Sequence, residues 1–263
     1  MELKRYFIQL AYNGKNYHGW QIQPNAISVQ EELNKALTVL LKNDINVVGA
    51  GRTDTGVHAS FFVAHFETDA TFDPKQLTYK LNRFIRGQVS VEQIFEVDSE
   101  MHARFSALSR SYKYFISKKN NPFSSELAYH HRVPLDVEKM NEAGKILFDY
   151  IDFTSFSRLH TDVKTNNCRI DKVQWTEDGD FLVFEIKADR FLRNMVRAIV
   201  GTLIQVGEGK CTIEDFRKII EDKNRGRAGA SAPGNALFLT DIEYPEEVNN
   251  QLNRSAGSFF KYL

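Results

Sequence analysis

The sequence predicts an α+β protein made of two ferredoxin-like lobes, each with an antiparallel sheet, and a central cleft. Residues 3–97 carry elements in the order strand, helix, strand, strand, helix, strand. This is the split βαβ arrangement, in which two helices cover one face of a four-stranded sheet. A similar order begins again at residue 109, without any residue-level repeat. The predicted division is therefore an N-terminal lobe at 1–104, a C-terminal lobe at 105–245 and a tail at 246–263.

The elements of the first half follow from apolar spacing and from turn residues. A strand is predicted where β-formers and aromatic residues end at a turn signal, as in residues 3–12 before Asn13-Gly14. A helix is predicted where apolar residues recur at helical spacing behind an N-cap, as they do behind Ser28. The predicted strands are 3–12, 45–50, 60–67 and 89–97, and the helices begin after the N-caps Ser28 and Asp73.

The second half is interpreted in the same way. The runs SRSYKYFISK, CRIDKVQW, FLVFEIKA and ALFLTDIEY are rich in β-branched and aromatic residues, which favour strands. Three further stretches have the apolar spacing of helices. The predicted strands are 109–118, 168–175, 181–188 and 236–244, and the predicted helices are 137–151, 190–206 and 213–222.

Composition limits the classes of protein that this chain can belong to. Its 263 residues include 34 Lys+Arg and 34 Asp+Glu, a net charge of zero that argues against a protein coating nucleic acid indiscriminately. No apolar run approaches the ~20 residues of a membrane span, and the start of the chain lacks a signal-peptide pattern, so we expect a cytoplasmic protein without membrane contact. The two cysteines, Cys168 and Cys211, exclude a disulfide framework and a Cys-rich zinc site, and no metal is expected.

Positive charge is nevertheless concentrated locally. Between residues 102 and 119 there are five cations and no acid, with aromatic residues interleaved. Cations beside stackable rings suit RNA, although a solvated edge strand has the same pattern. The five cations are Arg104, Arg110, Lys113, Lys118 and Lys119.

A second concentration lies on the helix predicted from residue 190. At about 100° per residue, Arg190, Arg193 and Arg197 fall in one stripe that continues onto Gly201. Arginine forks onto phosphate or carboxylate oxygens, and a glycine would let a bulky partner approach the backbone. A plain solvent-facing helix is the other interpretation. A third cluster, Lys223, Arg225 and Arg227, lies in a glycine-rich loop that we expect to be flexible enough to wrap a nucleic-acid backbone.

The densest group of chemistry-bearing residues is GAGRTDTGVH, at 49–58. Glycines permit a close approach of backbones, and a loop flanked by strands holds a side chain accurately. Asp54 could be a nucleophile or a base, and Arg52 could pair with it or with a substrate phosphate. The residues alone equally allow an Asx-type turn in which Asp54 caps backbone amides.

The string GAGRTDTGVHA closely resembles the catalytic signature of the A-type tRNA pseudouridine synthases. The resemblance covers nearly the whole chain, because further segments follow in the family's order and spacing. These are YNGKNYHGWQIQP with SVQEEL, HARFSALSRSYKY, DFTSF, RFLRNMVRAIVG and LFLTDIEYP.

The resemblance assigns roles to individual residues. The family's catalytic aspartate falls on Asp54 and its neighbouring arginine on Arg52, while the active-site arginine of the MVR motif falls on Arg197. The tyrosine that stacks on the target base falls on Tyr112, and the apolar residue of the uracil pocket on Leu237. Further substrate contacts are expected from Arg110, Arg190 and Arg193. One departure is that Ser157 stands where relatives often have an arginine directly after DFTSF, with Arg158 following.

The function implied is isomerisation of uridine to pseudouridine at positions 38, 39 and 40 of the tRNA anticodon arm. The family also implies a homodimer, an RNA-binding cleft and chemistry without a cofactor. Whether Asp54 attacks uracil C6 or ribose C1′, or removes a proton, stays open. Two other classes remain: a non-catalytic RNA-binding protein, which leaves the GRTD segment unexplained, and a carboxylate-dependent nucleosidase, which would release uracil.

Overall fold

The computed structural model describes residues 2–158 and 165–254. Within these ranges the chain is a mixed α/β protein with six α-helices and mostly antiparallel sheet. It divides into unit 1, Met1–Leu108 with Leu239–Leu263, and unit 2, Ser109–Phe238. Unit 1 thus includes a second stretch of chain that the linear division at residues 104 and 245 does not contain, and that division stays a prediction. Residues 255–263 of the predicted tail lie outside the described residues.

In unit 1 the first strand of the chain lies between two other strands. The strand order is β4-β1-β3, both pairs are antiparallel, and the short β2 pairs with β3. Residues 6–10 of β1 are all buried, because the strand has neighbours on both edges and packing on both faces. The strands in its first stretch of chain are β1 (Lys4–Tyr12), β2 (Val48–Gly49), β3 (His58–Thr68) and β4 (Val89–Val97).

The first two helices of unit 1 begin where the sequence predicts. In α1 (Val29–Leu41) the side chain of Ser28 accepts a hydrogen bond from the Glu31 amide. In α2 (Pro74–Phe84) the side chain of Asp73 accepts from two amides of the first turn. An N-cap of this kind satisfies amides that have no partner inside the helix, so the start of each helix can be predicted from neighbouring residues.

In unit 2 the strand order is β5-β8-β7, and both pairs are antiparallel. The two-residue β6 adds to β5 in parallel. In this register Tyr112 lies opposite Ile186. The strands are β5 (Ser109–Ser117), β6 (Tyr129–His130), β7 (Ile170–Asp178) and β8 (Phe181–Ala188).

Three helices complete unit 2: α3 (Val137–Lys145), α4 (Met195–Gly207) and α5 (Ile213–Glu221). The prediction of a helix from residue 190 is wrong for its first five residues. Asn194 has a left-handed backbone with φ of 66°, which interrupts helical geometry directly before Met195. Most of α4 is buried, so the helix is a core element of its unit.

The last strand, β9 (Leu237–Glu243), begins in unit 2 and belongs to unit 1 from Leu239 onward, where it lies next to β3. Just beyond it, the Tyr244 hydroxyl donates to the Ala103 carbonyl at 2.6 Å. The Tyr244 ring packs edge-on against Phe7 of β1. These contacts fasten the returning chain to the core of unit 1.

The chain then forms the short helix α6 (Glu246–Asn249) and reaches Asn253. There the buried side chain of Gln9 donates to the Asn253 carbonyl at 2.6 Å and accepts from its amide at 2.9 Å. Because Gln9 lies on β1, the first strand of the chain, this pair of hydrogen bonds ties the end of the described chain to its beginning.

Unit 1 also contains two histidines whose rings pack edge-on against each other. The buried His65 accepts a hydrogen bond at Nδ1 from the Ala103 amide at 3.1 Å, and its ring lies 4.6 Å from the ring of His102. The pKa of His65 is lowered to about 4, chiefly by burial and also by the neighbouring His102 and Arg5, against the opposing effect of Glu67. Burial also lowers the pKa of His102. Both rings are therefore neutral in the folded protein at neutral pH.

We predict that stability falls as the pH is lowered from about 6.5 to about 4, and that His65→Asn flattens this dependence. Because the pKa of His65 is lower in the folded state, the unfolded chain binds more protons in this window. The asparagine oxygen can still accept from the Ala103 amide but does not titrate. Denaturant unfolding at a series of pH values measures how the free energy of unfolding changes with pH. Part of this dependence should remain in the variant, because the pKa of His102 is also lowered in the folded state. Equal slopes for both proteins would contradict the prediction.

Candidate active site

The loop that carries Asp54 joins β2 to β3 in unit 1. Asp54 is partly exposed, and Arg52 is exposed. The Val57 amide donates to the Asp54 carbonyl at 3.1 Å, and this closes a tight turn in which Gly56 has a φ of 76°. The structure thus presents a carboxylate on a turn whose last residue, Val57, directly precedes the long strand β3.

The residue before Asp54 is fixed by the segment that follows β1. The Tyr12 hydroxyl and the Thr53 hydroxyl are 2.9 Å apart in a buried hydrogen bond. The Trp20 amide donates to the Thr53 carbonyl at 3.3 Å. Gly19, with a φ of 92°, lies so close that a Cβ there would be 2.3 Å from the same carbonyl oxygen. Only glycine fits this position, because both its φ and its space exclude a side chain.

The residues after Asp54 are held by the same segment. The Gly56 amide donates to the Tyr17 carbonyl at 3.3 Å, and the Gly14 amide donates to Nδ1 of the buried His58 at 3.0 Å. A Cβ on Gly14 would lie 2.0 Å from the Val57 carbonyl oxygen. Residues 12–20, which we call the cradle, therefore hold the loop on both sides of Asp54.

The cradle is the part of this site that the sequence did not identify. YNGKNYHGW was noted only as a family-like string, and no role was assigned to Tyr12, Gly14 or Gly19. The available signal was two glycines among aromatic residues directly after a strand. That signal indicates a close approach of backbones but does not say to which loop.

In unit 2, Arg197 lies on α4 and is half-buried. Its Nε donates to the Ala232 carbonyl at 2.7 Å, and the Ala232 amide donates to the Arg197 carbonyl at 2.9 Å. Farther along the same face, a Cβ on Gly201 would lie 1.8 Å from the Ala230 carbonyl oxygen. The expectation that Gly201 admits a bulky partner is corrected here, since the chain's own loop fills that space.

The loop that fills it is the glycine-rich one with the third cationic cluster. The Arg225 guanidinium donates to the carbonyls of Ala228 and Gly229 and to the Ser231 hydroxyl. The side chain of Asn194 donates to the same hydroxyl. Arg225 thus serves to shape this loop against the start of α4.

Arg190 and Arg193 precede α4, so they do not share a helical stripe with Arg197. Asp189 organises this stretch: its carboxylate accepts from the amides of Arg190 and Arg169 at 2.7 and 2.8 Å. Its carbonyl accepts from the guanidinium of Arg110 at 2.9 Å. Arg110 and Arg190, which the sequence placed on separate elements, therefore both bind Asp189, Arg110 through its side chain and Arg190 through its backbone amide.

Arg193 and the sequence departure at Ser157 also lie together. The Arg193 side chain is exposed, and its carbonyl accepts from the Arg158 amide at 3.1 Å. Ser157 is buried, whereas Arg158 is exposed. An arginine at position 157 would need different local packing, so the residue that faces solvent here is Arg158.

Tyr112 lies on β5, half-buried, with its ring edge-on to Phe191 at 5.1 Å. Leu237, at the start of β9, is buried. Two residues along β5, the Tyr114 hydroxyl is buried without a hydrogen-bond partner among the described residues. Burial raises the pKa of Tyr114, so this phenol stays protonated, although Arg197 acts in the opposite direction.

The described residues offer little for a metal or a membrane. They contain no group of three or more His, Cys, Asp or Glu side chains arranged to hold a metal ion. Cys168 and Cys211 are buried free thiols, and burial raises the pKa of each. None of the helices within residues 2–158 and 165–254 combines the length and the apolar character needed to cross a membrane.

Comparison with known proteins decides the family. Residues 9–106 and 151–245 match the family model described as tRNA pseudouridine synthase. The chain belongs to this family. Its members are isomerases that convert uridine to pseudouridine in tRNA, and this chain is accordingly an isomerase. The matched ranges contain Asp54, the cradle, Arg197 and Leu237, whereas Arg110 and Tyr112 fall between them.

Curated relatives match over nearly their whole length. The protein named tRNA pseudouridine synthase A from Parabacteroides distasonis is 57% identical over 94% of this chain and 98% of its own. That of Bacteroides fragilis is 56% identical over 94% of this chain and 99% of its own. The Bacillus subtilis protein of the same name is 40% identical over 89% of this chain and 97% of its own.

We predict that Gly201→Ala lowers the free energy of unfolding by roughly 1–3 kcal/mol, because the added methyl group overlaps the Ala230 carbonyl. This loss should outweigh the greater helix propensity of alanine, about 1 kcal/mol. Denaturant unfolding measures the change. The control is Gly51→Ala, where a Cβ meets nothing within 4 Å. Equal stability of the two variants would show that the loop moves aside without cost.

Proposed function

We propose that this chain isomerises uridines 38, 39 and 40 of the tRNA anticodon arm, with Asp54 as the nucleophile or base acting on a flipped uridine. The observation that carries the proposal is the placement of Asp54. Its carboxylate is partly exposed, while the residues on both sides of it are hydrogen-bonded to the cradle. A side chain that must meet one reacting atom needs both access and a fixed position.

The chemistry conserves atoms and redox state. The N1–C1′ bond of uridine breaks, the uracil turns, and a C5–C1′ bond forms, while the C5 proton leaves and N1 takes up a proton. A carboxylate can serve this sequence by covalent attack on uracil C6 or ribose C1′, or by removing a proton. Each route needs one accurately placed anion, which is what the Asp54 loop offers, and none requires a cofactor.

Four other residues complete the proposed site. Arg52 and Arg197 bind the flipped phosphate or the Asp54 carboxylate, Tyr112 stacks on the uracil, and Leu237 lines its pocket. For Arg197, the Nε contact to Ala232 fixes the plane of the guanidinium, which supports hydrogen bonding to one specific group rather than general attraction of negative charge. For Tyr112, the edge contact with Phe191 holds the ring at a set angle.

Recognition of the anticodon arm is proposed to rest on shape and phosphates, with Arg110, Arg190 and Arg193 as contacts. The deep major groove of A-form RNA hides base identity from side chains. Extruding a nucleotide costs a few kcal/mol, and stacking on an aromatic ring returns roughly 1–3 kcal/mol. The proposal also includes a homodimer, ferredoxin-like lobes and a cytoplasmic location.

We predict that Asp54→Asn lowers the single-turnover rate by more than about 10³-fold, with tRNA affinity and unfolding nearly unchanged, because the loss falls on the chemical step. Release of tritium from tRNA labelled at uracil C5 follows the reaction, since that hydrogen leaves when C5 bonds to C1′. The control is Asp44→Asn, an exposed aspartate elsewhere in unit 1. A rate within tenfold of wild type would exclude Asp54 as nucleophile or base, and free uracil as the product would indicate a nucleosidase.

We predict that Tyr112→Phe reacts far faster than Tyr112→Ala at saturating tRNA. Phenylalanine keeps the stacking surface and the edge contact with Phe191, whereas alanine removes both. Single-turnover rates and dissociation constants on an anticodon-arm RNA measure the difference. Equal damage from the two substitutions would place the function of Tyr112 in its hydroxyl.

A further inference from the structure

We propose that Tyr12 is a positioning residue for Asp54 and that it acts through its hydrogen bond to Thr53. The inference rests on the proposed role of Asp54 and adds a residue to which the family resemblance assigned nothing. Tyr12 does not meet the substrate in this proposal. Its part is to fix the residue next to the reacting carboxylate.

Tyr12 is a rigid support. Its backbone lies opposite Ala59 of β3 and Val89 of β4, at the end of β1. Its ring is 4% exposed and packs edge-on against Phe62 at 5.5 Å, with Trp20 at 6.1 Å. A phenol held by sheet pairing at one end and by aromatic packing along its length has little freedom to move its hydroxyl.

The hydroxyl reaches Thr53, which is 9% exposed and directly precedes Asp54. The hydrogen bond fixes the side-chain rotamer of Thr53. The Trp20 amide independently binds the Thr53 carbonyl, which belongs to the peptide group that joins Thr53 to Asp54. One anchor sets the Thr53 side chain and the other sets the peptide plane, so together they fix where the Asp54 Cα lies, from which the carboxylate extends.

The two anchors make different demands on the sequence. The Trp20 contact uses only a backbone amide, and any residue but proline can supply it. The Tyr12 contact needs a hydroxyl on both partners, so a single oxygen removed from either side tests the proposal with little change in volume. Thr53→Ser keeps the hydroxyl, whereas Thr53→Val and Tyr12→Phe each remove one.

The experiment is a double-mutant cycle on the single-turnover rate at saturating tRNA. We expect Tyr12→Phe and Thr53→Val each to lower the rate by about 10- to 100-fold, a usual cost of misplacing a reacting group. The double variant should be no slower than the slower single variant, because both remove the same hydrogen bond. Thr53→Ser should stay within about threefold of wild type. Affinity for tRNA should change by less than about threefold throughout.

The matched control for a merely structural effect is Tyr244→Phe. Tyr244 is 2% exposed, lies in the same unit, and loses one buried hydrogen bond to Ala103 in this variant. Its unfolding midpoint should fall about as far as that of Tyr12→Phe, while its rate stays near wild type. An equal loss of rate in both Tyr→Phe variants, an unchanged rate in Tyr12→Phe, or rate losses of Tyr12→Phe and Thr53→Val that multiply would each overturn the proposal.

The Asp54→Asn variant separates this inference from the proposed function. If Asp54→Asn is inactive and Tyr12→Phe is fully active, Asp54 keeps its role and the positioning route is wrong. If Asp54→Asn retains the rate, the proposed function fails and the positioning of Asp54 falls with it, whatever Tyr12→Phe does.

Discussion

The site in unit 1 depends on a close approach between two stretches of backbone. Gly14 and Gly19 lie against the loop that carries Asp54, and a Cβ on either would lie within 2.3 Å of a carbonyl oxygen of that loop. Those carbonyls belong to Val57 and Thr53, which flank the aspartate. The hydrogen bonds that fix the loop form only at this separation. Two missing Cβ atoms in the cradle therefore determine where a carboxylate some forty residues later in the chain is held.

Unit 2 uses the same device on a helix. Gly201 of α4 lets the Ala230 carbonyl pack against the helix backbone, and this brings Ala232 within hydrogen-bond distance of Arg197. A glycine in a helix costs stability, and here that cost is offset by contacts that only a bare backbone allows. In both units a charged side chain that carries a proposed role lies beside a stretch of chain held by backbone contacts. In each case the position of the charged side chain depends first on contacts made by the main chain.

The sequence predicted elements whose signals are local and failed where the signal is distant. The helices α1 and α2 begin as predicted because cap and apolar spacing lie within a few residues of each other. The start of α4 was misplaced because the left-handed turn at Asn194 is stabilised partly by Ser231, 37 residues away. The loop of Asp54 stands out in the sequence because it is dense in glycine and charge, and the catalytic role of Asp54 stays a prediction. Tyr12 was missed because its partner Thr53 is 41 residues away, and one sequence does not reveal such a pair.

The return of the chain to unit 1 at Leu239 has a consequence for synthesis in the cell. When Leu108 has been made, unit 1 still lacks β9, the Tyr244 anchor and the partner of Gln9. These come about 130 residues later, which at 5–20 residues per second is roughly 7–26 s. Throughout that interval the neighbour that β9 provides for β3 is absent, and an unpaired strand edge invites association with other chains. Unit 2, whose residues are contiguous, can be completed before unit 1 on the ribosome.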